Sequence, residues 1–137
     1  MSKSNETLID PLFNNNPNPI FIIDQQTLEI LDINHRVEND YGYSKVELLG
    51  RFFLEMGDQD DETIKEGLRG LKKGEAILFI KKRHYKKSKE AFFVNMKVVN
   101  ATYSHRDVLI ASATDITESV EKETQLIQAG KLATLGT

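Results

Sequence analysis

Apolar and polar positions along this chain change period several times, and each change marks an element. Asn5 to Phe13 sets Leu8, Ile9, Leu12 and Phe13 at helical spacing, enough for one apolar stripe. Pro11 limits that helix, because it lacks an N–H and pushes Asp10 out of the α region. The stretch Asn14 to Pro19 is turn chemistry. Two isoleucine-rich runs follow, Ile20 to Asp24 and Glu29 to Ile33, separated by Gln25 to Leu28; they read as an antiparallel hairpin. Asn34 then offers an N-cap, Val37 and Tyr41 lie one helical turn apart, and Gly42 suits a left-handed C-cap.

Ser44-Lys45-Val46-Glu47 is a capping box, with Val46 and Leu49 as the predicted inward side of a single turn ended by Gly50. Asp60 or Asp61 is the expected start of a further helix, whose Ile64, Leu68 and Leu71 repeat at i, i+4, i+7 before Gly74 stops it. The period then becomes two. Ala76, Leu78 and Ile80 alternate with Ile77 and Phe79; Phe92, Val94, Met96 and Val98 alternate with Phe93, Asn95, Lys97 and Val99. Polar members of the second series predict a sheet with one face toward water. Tyr103 to Asp107 reads as a turn, Val108 to Thr114 as a last strand, and Thr117 to Thr137 as a polar helix that Asp115 and Glu118 could open as a capping box. The order is β-β, short helices, β-β-β and an exit helix, an α+β arrangement with an antiparallel five-stranded sheet.

Length and composition narrow the function classes. The 137 residues suit one domain, and 39% hydrophobic with 28% charged residues is ordinary globular usage. There is no cysteine, which removes disulfides, thiolate metal sites and cysteine nucleophiles and fits a reducing compartment. No apolar run approaches the roughly 20 residues of a membrane span, and the polar start MSKSNET has no signal-peptide core. A cytoplasmic location is the expectation.

Few residues nominate chemistry. His35, His84 and His105 share no helical or strand spacing, so a metal site would need distant pieces to converge, and surface placement is expected for all of them. The acidic run Asp58 to Glu62 starts like a calcium loop, but Thr63 stands where glycine is needed and Arg69 where the bidentate glutamate belongs. Lys81 to Lys89 holds six basic residues in nine. With a formal charge of −3 and no recognition helix, that run reads as a solvated hairpin that discourages edge pairing, not as a nucleic-acid surface. No phosphate loop, nucleophile elbow or paired-acid arrangement occurs; no catalytic residue and no metal site are nominated.

The segments "NPIFIID", "ILDIN", "GYSKVELLGR" and "DIT", in this order and at these intervals, resemble a PAS domain over about residues 8 to 120. The tail "QAGKLATLGT" resembles the stretch that enters the dimerisation helix of sensor histidine kinases. One departure is Lys87-Ser88-Lys89, where the family often has Asp-Gly in the turn. The resemblance implies a PAS fold with short helices on one face of the sheet and flanking N- and C-terminal helices. It divides the chain into an N-terminal helical segment (1–16), the PAS domain (17–117) and a signalling helix (118–137) leading into a kinase dimerisation domain.

It further implies a regulatory sensor of a two-component phosphorelay, acting as a homodimer on kinase domains of the same chain, with no catalysis in this segment. The rival expectation is a sensor that binds a small non-covalent ligand in an apolar pocket. Ile64, Leu68, Leu78, Ile80, Phe92, Val94 and Met96 are the pocket-lining candidates. Asp115, Ile116, Thr117, Val120 and Ile127 are the candidates for signal transmission, and Leu8, Ile9, Leu12 and Phe13 for dimer contact. No cofactor is expected. The absent cysteine excludes a covalent flavin adduct or a cysteine-linked chromophore, and the helix matching the family's haem-bearing one, Asp60 to Leu71, has no histidine. Neither nucleic acid nor membrane insertion is expected.

Overall fold

A computed structural model describes residues 12–58 and 62–135, with side chains as far as residue 127. Five strands, β1 (Ile20–Asp24), β2 (Ile30–Ile33), β3 (Ala76–Tyr85), β4 (Ala91–Tyr103) and β5 (Arg106–Asp115), form one sheet of order β2-β1-β5-β4-β3. Every neighbouring pair is antiparallel. Helices α1 (His35–Tyr41), α2 (Lys45–Leu48) and α3 (Glu62–Arg69), with a 3₁₀ turn at Phe53–Met56, cover one face. Helix α4 (Thr117–Leu135) leaves from the end of β5. The predicted starting residues of α3, Asp60 and Asp61, and the dimer candidates Leu8 and Ile9 lie outside the described residues. No described helix is long and apolar enough to cross a membrane.

The local signals that place these elements are side chains replacing missing backbone partners. Asn34 Oδ1 accepts from the Val37 amide at the start of α1, and Gly42 ends the helix at φ 82°, a conformation that costs glycine little. In the Ser44 box the Glu47 amide donates to Ser44 Oγ (3.3 Å) and the Ser44 amide donates to Glu47 Oε1 (2.9 Å). The side of α2 that faces the core is not the expected one: Leu48 is fully buried, whereas Val46 is 86% exposed and Leu49 also faces solvent. One turn of helix has too few residues to define a stripe, and Leu48 is the residue that the box aims inward.

The last two strands are longer than the sequence suggests, with Tyr103 paired to Arg106 across a two-residue loop. Ser104 (φ 49°) and His105 (φ 62°) both take left-handed backbone there. Such a loop matches the twist of a hairpin but favours Asn-Gly, so Ser-His gives no sequence warning of it. The core lies between the helices and the inward residues of the sheet, with Phe21, Ile23, Tyr41, Leu48, Leu68, Val94, Val98 and Leu109 sealed from solvent or nearly so.

Candidate functional site

The inner face of β3 holds the chemistry. Ile77 and Phe79 pair with Val98 and Met96 and turn inward. Between Phe79 and Lys82 the register slips, so that Ile80 and Lys81 together face Asn95. Lys81 sits at φ 53° and its amide donates to Asn95 Oδ1 (3.0 Å). The extra residue of a β-bulge reverses which parity points inward. Beyond it Lys82 and His84, rather than odd-numbered residues, face the helices.

His84 is therefore only 6% exposed, contrary to the surface position expected from its basic neighbours. Its Nδ1 is 2.6 Å from Tyr41 Oη, the last residue of α1. Phe92 packs edge-on to Tyr41 (4.9 Å between centroids), and Phe53 and Phe92 stand edge-on to the imidazole at 6.2 and 6.3 Å. Burial lowers the imidazole pKa to about 4, with Asp58 opposing the shift. Burial likewise raises the Tyr41 phenol well above its ordinary value. Both groups are neutral at pH 7. The Tyr41 hydroxyl has one acceptor among the described residues, His84 Nδ1. A buried O–H left undonated costs about 1–3 kcal/mol, so the phenol donates to Nδ1 and the ring proton resides on Nε2.

The other edge of the ring meets Gly57, which bridges to His84 across the sheet edge. A Cβ at that glycine would lie 2.8 Å from the Arg83 carbonyl oxygen and 3.0 Å from His84 Cδ2, so only glycine allows this approach. Next to the pair is a cavity of about 100 Å³, walled by Phe53, Leu54, Ile64, Leu68, Phe79, Met96 and Val98, with Asp58, Lys82 and His84 supplying polarity.

Of the expected pocket residues, Ile64, Leu68 and Met96 line this cavity. Phe92 and Val94 are buried in the core beside it. Leu78 and Ile80 are a correction: at 62% and 59% exposed they occupy the opposite face. Residues 76 to 80 are all apolar, so alternation alone could not choose their inward parity; the pairing with β4 chose the odd one. His84 was the larger omission. Only the bulge turns it inward, and no sequence motif announces that bulge.

The residues at the exit of the sheet are joined to it directly. The Ile116 amide donates to the Phe93 carbonyl (2.8 Å), and the Phe93 amide donates to Thr117 Oγ1 (2.9 Å). Asp115 Oδ1 accepts from the Thr117 amide (2.9 Å), one residue earlier than a capping box to Glu118 requires. Val120 is half-buried and its amide donates to Ile116 (2.9 Å), while Ile127 is exposed beside Leu126. Lys81, the bulge residue, forms an ion pair with Glu123 of α4 (3.3 Å). At the other end Leu12 is exposed, and the Phe13 carbonyl accepts from Asn34 Nδ2 (2.9 Å). Asn34 is wholly buried and also holds the Ile20 amide and the Asn18 carbonyl, a tie that an N-cap reading does not foresee. The basic run is spread over both faces, with Lys86 on Glu90 (2.7 Å) and Lys87 on Glu47 (2.6 Å).

Comparison with known proteins agrees with this architecture. No curated protein matches the chain. Among solved structures it is similar to the PAS domain of an HTR-like protein from Haloarcula marismortui, with 23% identity, a TM-score of 0.73 and coverage of 83% of this chain and 93% of that one. A PAS domain from a two-component sensor histidine kinase aligns at 17% identity and TM-score 0.64 over 84% and 99% of the two chains. The PAS domain of nitrogen regulation protein NR(II) from Vibrio parahaemolyticus aligns at 16% identity and TM-score 0.64 over 80% and 98%. At these identities the likeness is one of fold. The PAS domain family itself matches residues 17–118. With the five-stranded antiparallel sheet and its helical cover, that match settles the class: the chain belongs to the PAS domain family, non-catalytic sensory domains of signal transduction.

Proposed function

We propose that this chain is the sensory and regulatory module of a cytoplasmic two-component sensor histidine kinase, working as a homodimer that biases its kinase through α4. The observation that carries the reading is the double hydrogen bond between Phe93 of β4 and the residues Ile116 and Thr117. It ties the first turn of α4 to a strand that also walls the cavity through Met96 and Val98. A shift of β4 then moves the root of the exit helix, and two such helices side by side turn that motion into a change of crossing. The exposed Leu126 and Ile127 give α4 apolar positions to pair, and Leu8, Ile9, Leu12 and Phe13 are assigned a second dimer contact.

The test uses the cysteine-free background. Single Leu126→Cys and Ile127→Cys variants should form interchain disulfides at unequal rates under mild oxidant, as one helical face meets its mate. A chain that sediments as a monomer at high concentration, with no cross-link from either position, refutes the dimer. A second reading, a sensor of a small non-covalent ligand, is favoured by the cavity beside His84. A fixed added mass in native mass spectrometry of the purified protein would support it.

A further inference from the structure

The cavity beside the Tyr41–His84 pair combines an apolar wall with one polar group whose role is fixed. His84 Nδ1 is occupied by the Tyr41 hydroxyl (2.6 Å), and among the described residues no hydrogen-bond partner reaches Nε2. Since the phenol donates, Nε2 carries the proton and the site offers a neutral N–H. The imidazole is buried on its strand, and the ring edge that holds Nε2 lies at the wall shared with Gly57.

We infer that this cavity binds a small uncharged molecule with one hydrogen-bond acceptor, a ketone or ester oxygen, received by His84 Nε2–H with an apolar body against Leu54, Leu68, Phe79 and Met96. This deepens the ligand-sensor reading above and rests on it. Size limits the class first. A cavity of about 150 Å³ admits benzene, so about 100 Å³ takes a body of roughly four to five heavy atoms. Charge limits it next. A carboxylate brought to a neutral N–H inside an apolar wall leaves most of its hydration unreplaced, which costs several kcal/mol, and the Asp58 carboxylate stands at the same wall. Lys82 lines the cavity too, so a small acid is the competing class and forms an arm of the test. An apolar molecule with no acceptor would fill the space but leave the N–H unpaired.

The 137-residue chain, labelled with ¹⁵N, is titrated separately with 2-butanone, cyclopentane and propionate, each of about five heavy atoms, and followed by NMR. The expected result is saturable shifts at Leu68, Phe79 and Met96 with 2-butanone, together with movement of the His84 Nε2–H signal. Cyclopentane should bind roughly tenfold more weakly, as expected for one lost hydrogen bond, and propionate should not saturate. Tyr41→Phe/His84→Phe, which keeps both aromatic bodies and whose folding is read from the same spectra, should erase the preference for 2-butanone over cyclopentane. Equal binding of ketone and hydrocarbon by the parent chain overturns the assigned ligand class while sparing the ligand-sensor reading, and tighter binding of propionate does the same. No saturation with any of the three overturns both.

Discussion

Acid should weaken this fold in a window that belongs to His84. Its pKa falls from 6.5 to about 4 on burial. Above pH 6.5 the ring is neutral whether the chain is folded or not, and its contribution is fully present. Between pH 6.5 and 4 the unfolded chain takes up a proton that the folded chain refuses, so stability drops as pH falls, by at most about 1.4 kcal/mol per pH unit. Integrated from pH 7 to 4.5, the loss is about 2 kcal/mol. The two depressed carboxyls act at lower pH. Glu47, held at about 2 by Lys87 and the Ser44 amide, yields its contribution only below its ordinary 4.5. Asp24, lowered first by the Thr27 amide, yields its own below 3.8. Urea midpoints at closely spaced pH values measure the slope. Tyr41→Phe/His84→Phe removes donor and acceptor together, leaving no orphan, and should flatten the curve between pH 7 and 4.5. Equal slopes for the parent and this variant in that interval would refute the neutral, buried imidazole.

Asn34→Ala should cost about 2–4 kcal/mol in urea unfolding, because it strips the Ile20 and Val37 amides and the Phe13 and Asn18 carbonyls of one shared partner. Leu48→Ala should cost about 2–5 kcal/mol. Val46→Ala on the same turn, exposed in the fold, should stay within about 0.5 kcal/mol; similar losses at the two sites would contradict the orientation of α2. Thr117→Val leaves the Phe93 amide without its acceptor. Hydrogen exchange at that amide should quicken about tenfold, in line with about 1.4 kcal/mol of local protection.

Features written in a few adjacent residues were legible in the sequence. The Asn34 cap, the Ser44 box, the Gly42 terminus and the order of strands and helices all depend on contacts within a turn or on a repeating period. What escaped depends on pairing between distant segments. The inward parity of β3 is set by its partner β4, because Ala76 to Ile80 offer apolar residues to both faces. The inward turn of His84 needs a bulge fixed by Asn95, fourteen residues beyond Lys81. The short Ser104–His105 loop uses left-handed residues without the usual glycine, which is why the hairpin looked longer in its turn and shorter in its strands. In the candidate site, Ile64, Leu68 and Met96 followed from periodicity, while Tyr41, Gly57 and His84 are joined only by tertiary packing.

The slip in β3 makes one amino acid supernumerary. Pairing with β4 runs unbroken from Ala76 to Phe79 and again from Lys82 to Tyr85. Excising Lys81 therefore restores a plain ladder, with Phe79 inward, Ile80 outward and Lys82 inward. Removing a strand residue outside the Ile80–Lys81 bulge would instead evert part of it. The dispensable residue is also the one that reaches Glu123 on the exit helix. A chain shortened by that single codon keeps its histidine, its cavity and its sheet, and loses the strut between the edge strand and α4. The cavity and the tie between sheet edge and exit helix are thus open to separation by length alone, with no change to any side chain around the cavity.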